Sequence, residues 1–129
     1  MSHRFDAPDL GAVVEAMSDA ERNALPFGAI RLDRNNVVTF YSQREAEGSG
    51  MGARGQAGRN YFADIAPCFA NADYLGRIEA ARVHGDIDIE MGVIGDFADD
   101  DGEIRARVMS APDGGLWIFH EREIDRVAA

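Results

Sequence analysis

Lysine is missing from this chain of 129 residues, and all thirteen of its basic residues are arginine. Arginine keeps its proton in ordinary protein settings. No internal imine can therefore form, which excludes retinal or pyridoxal held in that way. Cysteine is almost missing too. Cys68 stands alone, so no intrachain disulfide is possible, and a single thiolate makes a poor tetrahedral metal site. Any covalently bound group is expected on that sulfur. Basic charge is also short: the formal net charge is −10, which argues against nucleic acid and anionic lipid surfaces as partners. Such an acidic balance suits solubility in salty media. No apolar run approaches the roughly 18 residues that span a bilayer. The opening "MSHRFDAPDL" has neither the basic start nor the apolar stretch of a signal peptide. A soluble, cytoplasmic protein is the expectation.

What is present reads as one globular domain of 1–129, since hydrophobic residues make up 46% of the chain and its length suits a single core. Residues 8 to 24 place Leu10, Val13, Val14 and Met17 on one helical face. "SDAE" then predicts a capping box, with Ser18 as N-cap and Glu21 reaching back. Two short helices ending at Pro26 follow. "GAIRLD" and "VVTFYS" around "RNN" predict a hairpin. Five glycines in "REAEGSGMGARGQAGRN" mark a long loop with one short helical turn. "YFADIAP" suggests a further turn or two of helix stopped by Pro67. "NADYLGRIEAARVHG" predicts an amphipathic helix with Tyr74, Leu75, Ile78 and Val83 inward and Gly85 as its stop. The remainder alternates as a three-stranded meander broken at "ADDDG" and "PDGG". The expected fold is α+β: a five-stranded antiparallel sheet with helices on one side, an N-terminal helical cap over 1–26, a core over 27–122 and a tail over 123–129.

Several residues are candidates for chemistry. Cys68 follows Pro67 and precedes "FANAD", so its thiol stands close to a helix start, where thiol pKa falls. An isolated cysteine is nevertheless most often a small buried hydrophobe. Tyr41, Glu45 and Ser49 are spaced by four, which on a helix would bring three polar tips to one side; a charged run is more commonly a solvated face. His3 lies in the terminus, His84 at a helix end and His120 on the last strand, each read as structural or exposed. Asp99, Asp100 and Asp101 lack the spacing and closing glutamate of a calcium loop. Trp117 and Phe119 are expected to fill core. There is no P-loop, H-E-x-x-H or G-x-S-x-G, and no spacing supports a Cys–His dyad.

"LPFGAIRLD", the pair Tyr41 and Glu45 in "YSQRE", and "GRNYFADIAPC" together resemble the photoactive yellow protein family of blue-light receptors, within the PAS superfamily. The resemblance runs from about Phe5 to Phe119. It implies a non-enzymatic photoreceptor in which Cys68 carries 4-hydroxycinnamic (p-coumaric) acid as a thioester. Tyr41 and Glu45 match the residues that hydrogen-bond the phenolate oxygen, and Ser49 keeps a hydroxyl behind the tyrosine. Ala66 and Pro67 match the segment beside the anchor; Ile30, Tyr61 and Ile65 would line the pocket. A buried phenolate needs donors, because burial raises a phenol's pKa above its usual value of about 10. Glu45 would be neutral, since two adjacent buried anions repel. Isomerisation of the vinyl bond would make the phenolate a better acceptor, and Glu45 would pass it a proton. The resulting unpaired carboxylate would then loosen the domain and free the N-terminal helices.

This chain departs from the family at several places. Met51 stands where many members have an arginine, Gly95, Phe97 and Asp99 replace part of the usual lining, and Phe69 is larger than the usual neighbour of the anchor. Replacement of a methionine by Asp99 is expected to slow dark recovery; faster recovery in this protein than in Asp99→Met would contradict it. The runner-up is a chromophore-free PAS module for ligand sensing or protein interaction. A flavin receptor lacks its motif around "APCFAN", and a thiol enzyme would need a basic partner. A monomer with an unidentified downstream signalling protein is expected.

Overall fold

The structure, a computed structural model, describes residues 4–48, 57–94 and 103–122, without the side chains of Cys68, Val93, Ile94 and Glu103. Its frame is a five-stranded antiparallel sheet in the order β2-β1-β5-β4-β3. The strands are β1 (Gly28–Leu32), β2 (Val38–Tyr41), β3 (Asp88–Ile94), β4 (Glu103–Ser110) and β5 (Leu116–Arg122). The predicted hairpin is β1–β2, and its turn places Asn36 at φ 65°, a conformation that asparagine tolerates better than most residues. Asp33 ties that turn together by accepting from the backbone of Asn35 and Val37.

The central strand β5 is apolar on both faces, as a strand covered on both sides must be. Leu116 and Ile118 join one core with Ile30, Leu32, Tyr61, Ile65, Tyr74, Ile78 and Val108. Trp117 and Phe119 join a second core with Phe5, Leu10, Val14, Leu25, Phe27 and Met109. Helices therefore cover both faces rather than one, and this corrects the one-sided expectation. The reason is β5 itself: "LWIF" has no polar residue to present to water.

The second face is closed by the N-terminal cap, α1 (Leu10–Glu15) and α2 (Asp19–Asn23). Its capping box forms as expected, Ser18 Oγ accepting from the Glu21 amide and Glu21 Oε1 from the Ser18 amide. Arginines fasten the cap. Arg107 of β4 donates to the carbonyls of Phe5 (2.8 Å) and Ala7 (2.7 Å) while paired with Asp88. Arg22 donates to the carbonyls of Val14 and Glu15 and stacks over Trp117 and Phe40. Glu15 in turn accepts from Trp117 Nε1 and Arg31 Nε, both at 2.9 Å.

The first face carries α3 (Gln43–Gly48), a π-helical turn (Tyr61–Ile65), a 3₁₀ turn (Pro67–Phe69) and α4 (Leu75–Val83). Gly85 at φ +99° ends α4 as expected. Val83 does not face inward: it is 84% exposed. Five residues beyond the buried Ile78, it falls on the opposite side of a helix that turns 3.6 residues at a time. "PDGG" forms a 3₁₀ turn over Pro112–Gly114, and "ADDDG" lies outside the described residues.

Candidate functional site

The site begins at Ser42, a fully buried residue between β2 and α3. Its amide donates to the Ala29 carbonyl at 2.9 Å, and its hydroxyl accepts from the amides of Ala29 (3.0 Å) and Glu45 (3.2 Å). One side chain thus caps α3 and clamps it to β1. That clamp drives Glu45 into the sheet, where it is 1% exposed. Gly28 makes the approach possible: a Cβ there would overlap Glu45 Oε1.

The partners of Glu45 come from β5. Inward positions alternate along a strand, so after Leu116 and Ile118 come His120 and Arg122, both buried. Arg122 grips the carboxylate with two nitrogens, Nη1 to Oε1 at 2.7 Å and Nη2 to Oε2 at 3.1 Å. His120 Nδ1 lies 3.0 Å from Oε2, and its Nε2 lies 3.0 Å from the Tyr74 hydroxyl. The ring thus bridges the carboxylate and the Tyr74 hydroxyl, with the donor at each contact set by its tautomer. Burial alone would push the Glu45 carboxyl up. His120 and Arg122 outweigh it and hold the group down at about 2.

Aromatic rings wall the cluster. Phe69 stacks on Tyr74 at 4.5 Å and meets His120 edge-on at 5.8 Å. Tyr61 is buried beside Phe62, 5.0 Å between centroids. Its hydroxyl is pushed well above the usual tyrosine range, first by burial and then by Tyr74, Glu45 and Tyr41. Tyr61 has therefore no tendency to become an anion; it is a neutral donor.

The structure gathers most of the expected residues. Ile30, Tyr61, Ile65, Ala66 and Phe69 share one core, with Tyr41 packed against it. Tyr41 ends β2 opposite Ile30, so it does not lie on a helix with Glu45, and α3 starts only at Gln43. The 3₁₀ turn holds the Cys68 backbone directly beside Phe69, with Pro67 opening that turn instead of closing the previous one. Ser49, Met51, Gly95, Phe97 and Asp99 lie outside the described residues, as does the Cys68 side chain. The expectation of a neutral Glu45 concerns a phenolate beside it; in the chain alone Arg122 and His120 hold the carboxyl low. His120, read as structural, belongs to the cluster, and Arg122, Tyr74 and Ser42 were missed. The alternation of "LWIFHER" carried the signal: His120 and Arg122 share parity with Ile118.

Among the described residues no group of histidine, cysteine, aspartate and glutamate could hold a metal ion, and no helix is long and apolar enough to cross a membrane.

Comparison with known proteins points in one direction. No family model matches the chain. A photoactive yellow protein from Rhodothalassium salexigens is 29% identical over 120 residues, 92% of this chain and 96% of that one. The photoactive yellow protein of Halochromatium salexigens is 29% identical over 119 residues, with 92% and 95% covered. Among solved structures, the photoactive yellow protein domain of the sensor histidine kinase Ppr from Rhodospirillum centenum superposes with a TM-score of 0.76. It is 30% identical and covers 85% of this chain and 97% of its own. An RNA-binding light-oxygen-voltage receptor shares the fold alone, at 12% identity and a TM-score of 0.54, over 98% of this chain and 37% of its own.

Proposed function

Because this chain belongs to the photoactive yellow protein family, a family of photoreceptors and not of enzymes, we propose that it senses blue light through 4-hydroxycinnamic acid held as a thioester on Cys68. The observation that supports this reading is the buried Glu45 held by Arg122 and His120, with Phe69 of the turn that bears Cys68 edge-on to the His120 ring. A plain structural core has no use for that donor set, whereas a buried phenolic oxygen needs it.

The fit is chemical. Tyr41 and Tyr61 supply neutral hydroxyls, Ile30 and Ile65 supply apolar walls, and Arg122 supplies a cation. The bound group contributes a light-driven trans-to-cis isomerisation about its vinyl bond. The chain contributes the rest. The Cys68 sulfur anchors the group, and Tyr41, backed by Ser49, donates to the phenolic oxygen. Phe69 and Ala66, both buried, exclude water. Glu45, protonated while a phenolate lies beside it, gives up that proton at Oε1 or Oε2 once the light step is past. Its carboxylate then falls back on Arg122 and His120, the arrangement seen here. The cap over residues 8 to 24 is the element whose release carries the signal to a downstream protein. The chain works as a soluble monomer in the cytoplasm.

The test is to treat the purified protein with an activated p-coumaroyl ester and record its absorption in darkness and after a blue flash. A visible band that bleaches, recovers and is lost in Cys68→Ala supports the proposal. A folded protein that stays colourless despite a reactive thiol refutes it and leaves a chromophore-free sensor.

A further inference from the structure

Resting on the reading above, we propose that Arg122 and His120 are themselves residues of the ligand site: Arg122 balances the charge of a phenolate oxygen, and the Glu45–His120 pair stores the proton that the phenol gives up. The argument is one of charge placed out of water. Arg122 and Glu45 are both buried, with a forked contact of 2.7 and 3.1 Å, so the pair is close to neutral by itself. A phenolate arriving beside it would bring a second anion to one cation, which a buried site resists. Moving the phenol's proton onto the pair removes the excess. The phenol O–H bond breaks, its electron pair stays on the phenolate oxygen, and the proton forms an O–H bond on Glu45 or an N–H bond on His120. What remains is one cation, Arg122, facing one anion.

Arg122 is the arginine that contacts the Glu45 carboxylate. From β5 come His120 and Arg122. From β2 comes Tyr41, from the π-helical turn Tyr61, and from the start of α4 Tyr74, all phenols. Tyr74 also explains why His120 suits proton storage. Its hydroxyl sits 3.0 Å from Nε2 and can rotate to accept when that nitrogen gains a proton. The stored proton therefore does not leave the ring without a hydrogen-bond partner. A merely structural ion pair would not need this second contact, and apolar residues fill such space at no electrostatic cost.

The experiment uses 4-nitrophenol, whose phenol and phenolate forms absorb differently, as a non-covalent probe of the full chain before any chromophore is attached. The ionisation pH of the bound probe is read by absorbance in the wild type, Arg122→Gln and Arg122→Lys. The expected result is ionisation at lower pH in the wild type than in free solution, an ionisation constant weakened about tenfold or more in Arg122→Gln, and recovery in Arg122→Lys. Binding of the probe as phenolate should release no proton to a weakly buffered solution in the wild type, and a measurable fraction of one in His120→Gln. A bound probe that ionises at the same pH with or without the Arg122 charge overturns the proposal. So does a wild type that takes the probe only as the neutral phenol, or does not take it, and this outcome needs no variant to fold. Mass gain at Cys68 with p-coumaroyl ester is read separately. Attachment without an Arg122 effect sinks the inference and leaves the photoreceptor, whereas an Arg122-dependent phenolate without attachment sinks the covalent reading alone.

Discussion

Glu45→Gln in the ligand-free protein should destabilise the fold by an amount that depends on pH. The substitution keeps size and removes charge, leaving the Arg122 guanidinium buried without its carboxylate. Breaking one side of a buried ion pair costs about 3–5 kcal/mol at neutral pH. Part of that cost must vanish in acid. The folded Glu45 carboxyl titrates at about 2, below its ordinary value of 4.5. A carboxyl lowered on folding gives its full stabilisation above the unfolded value and loses it as pH falls toward the folded one. The difference corresponds to about 3 kcal/mol in all, of which about 2 should be gone by about pH 3. Urea unfolding followed by the fluorescence of Trp117 and by far-ultraviolet dichroism, on both proteins near neutral pH and near pH 3, measures the gap. A gap of the same size at both pH values would refute the reasoning, because it would mean that the Glu45 carboxyl titrates alike in the folded and unfolded chains.

Three further outcomes follow from the contacts. Gly28→Ala puts a Cβ onto Glu45 Oε1; it should cost about 1–3 kcal/mol in urea unfolding, and Glu45→Ala in the same chain should recover part of the loss. Arg107→Met removes the donors to the Phe5 and Ala7 carbonyls and should cost about 2 kcal/mol, with faster proteolysis confined to residues 4–23. Ser18→Ala opens the capping box of α2 and should cost about 1 kcal/mol, visible as faster amide exchange at Glu21 and Arg22 with no change around Glu45.

The sequence disclosed the elements more readily than the site. The capping box at Ser18 and Glu21, the hairpin at Asn36 and the stop at Gly85 are local arrangements, each decided within a few residues, and all formed as read. Val83 lies outward because its helical angle from Ile78, and not its hydrophobicity, decides its side. The N-terminal cap forms a helical layer on a second face because β5 is apolar on both. Glu45 was identified through resemblance, but its charge state depends on Arg122, 77 positions away. No local pattern reports such a pairing. Only the parity of β5, combined with a counter-charge on another element, could have exposed it.

Strand β5 carries the site and the cap anchor on consecutive residues. Ile118, His120 and Arg122 turn toward the face that holds Glu45, while Trp117 and Phe119 turn toward α1 and α2. The two sides therefore share one set of backbone torsions. A rotation of a single peptide that reseats His120 must swing Phe119 through the opposite arc, against Phe27 at 5.7 Å. The sheet is one chain thick at this place, so the two cores meet along a single strand.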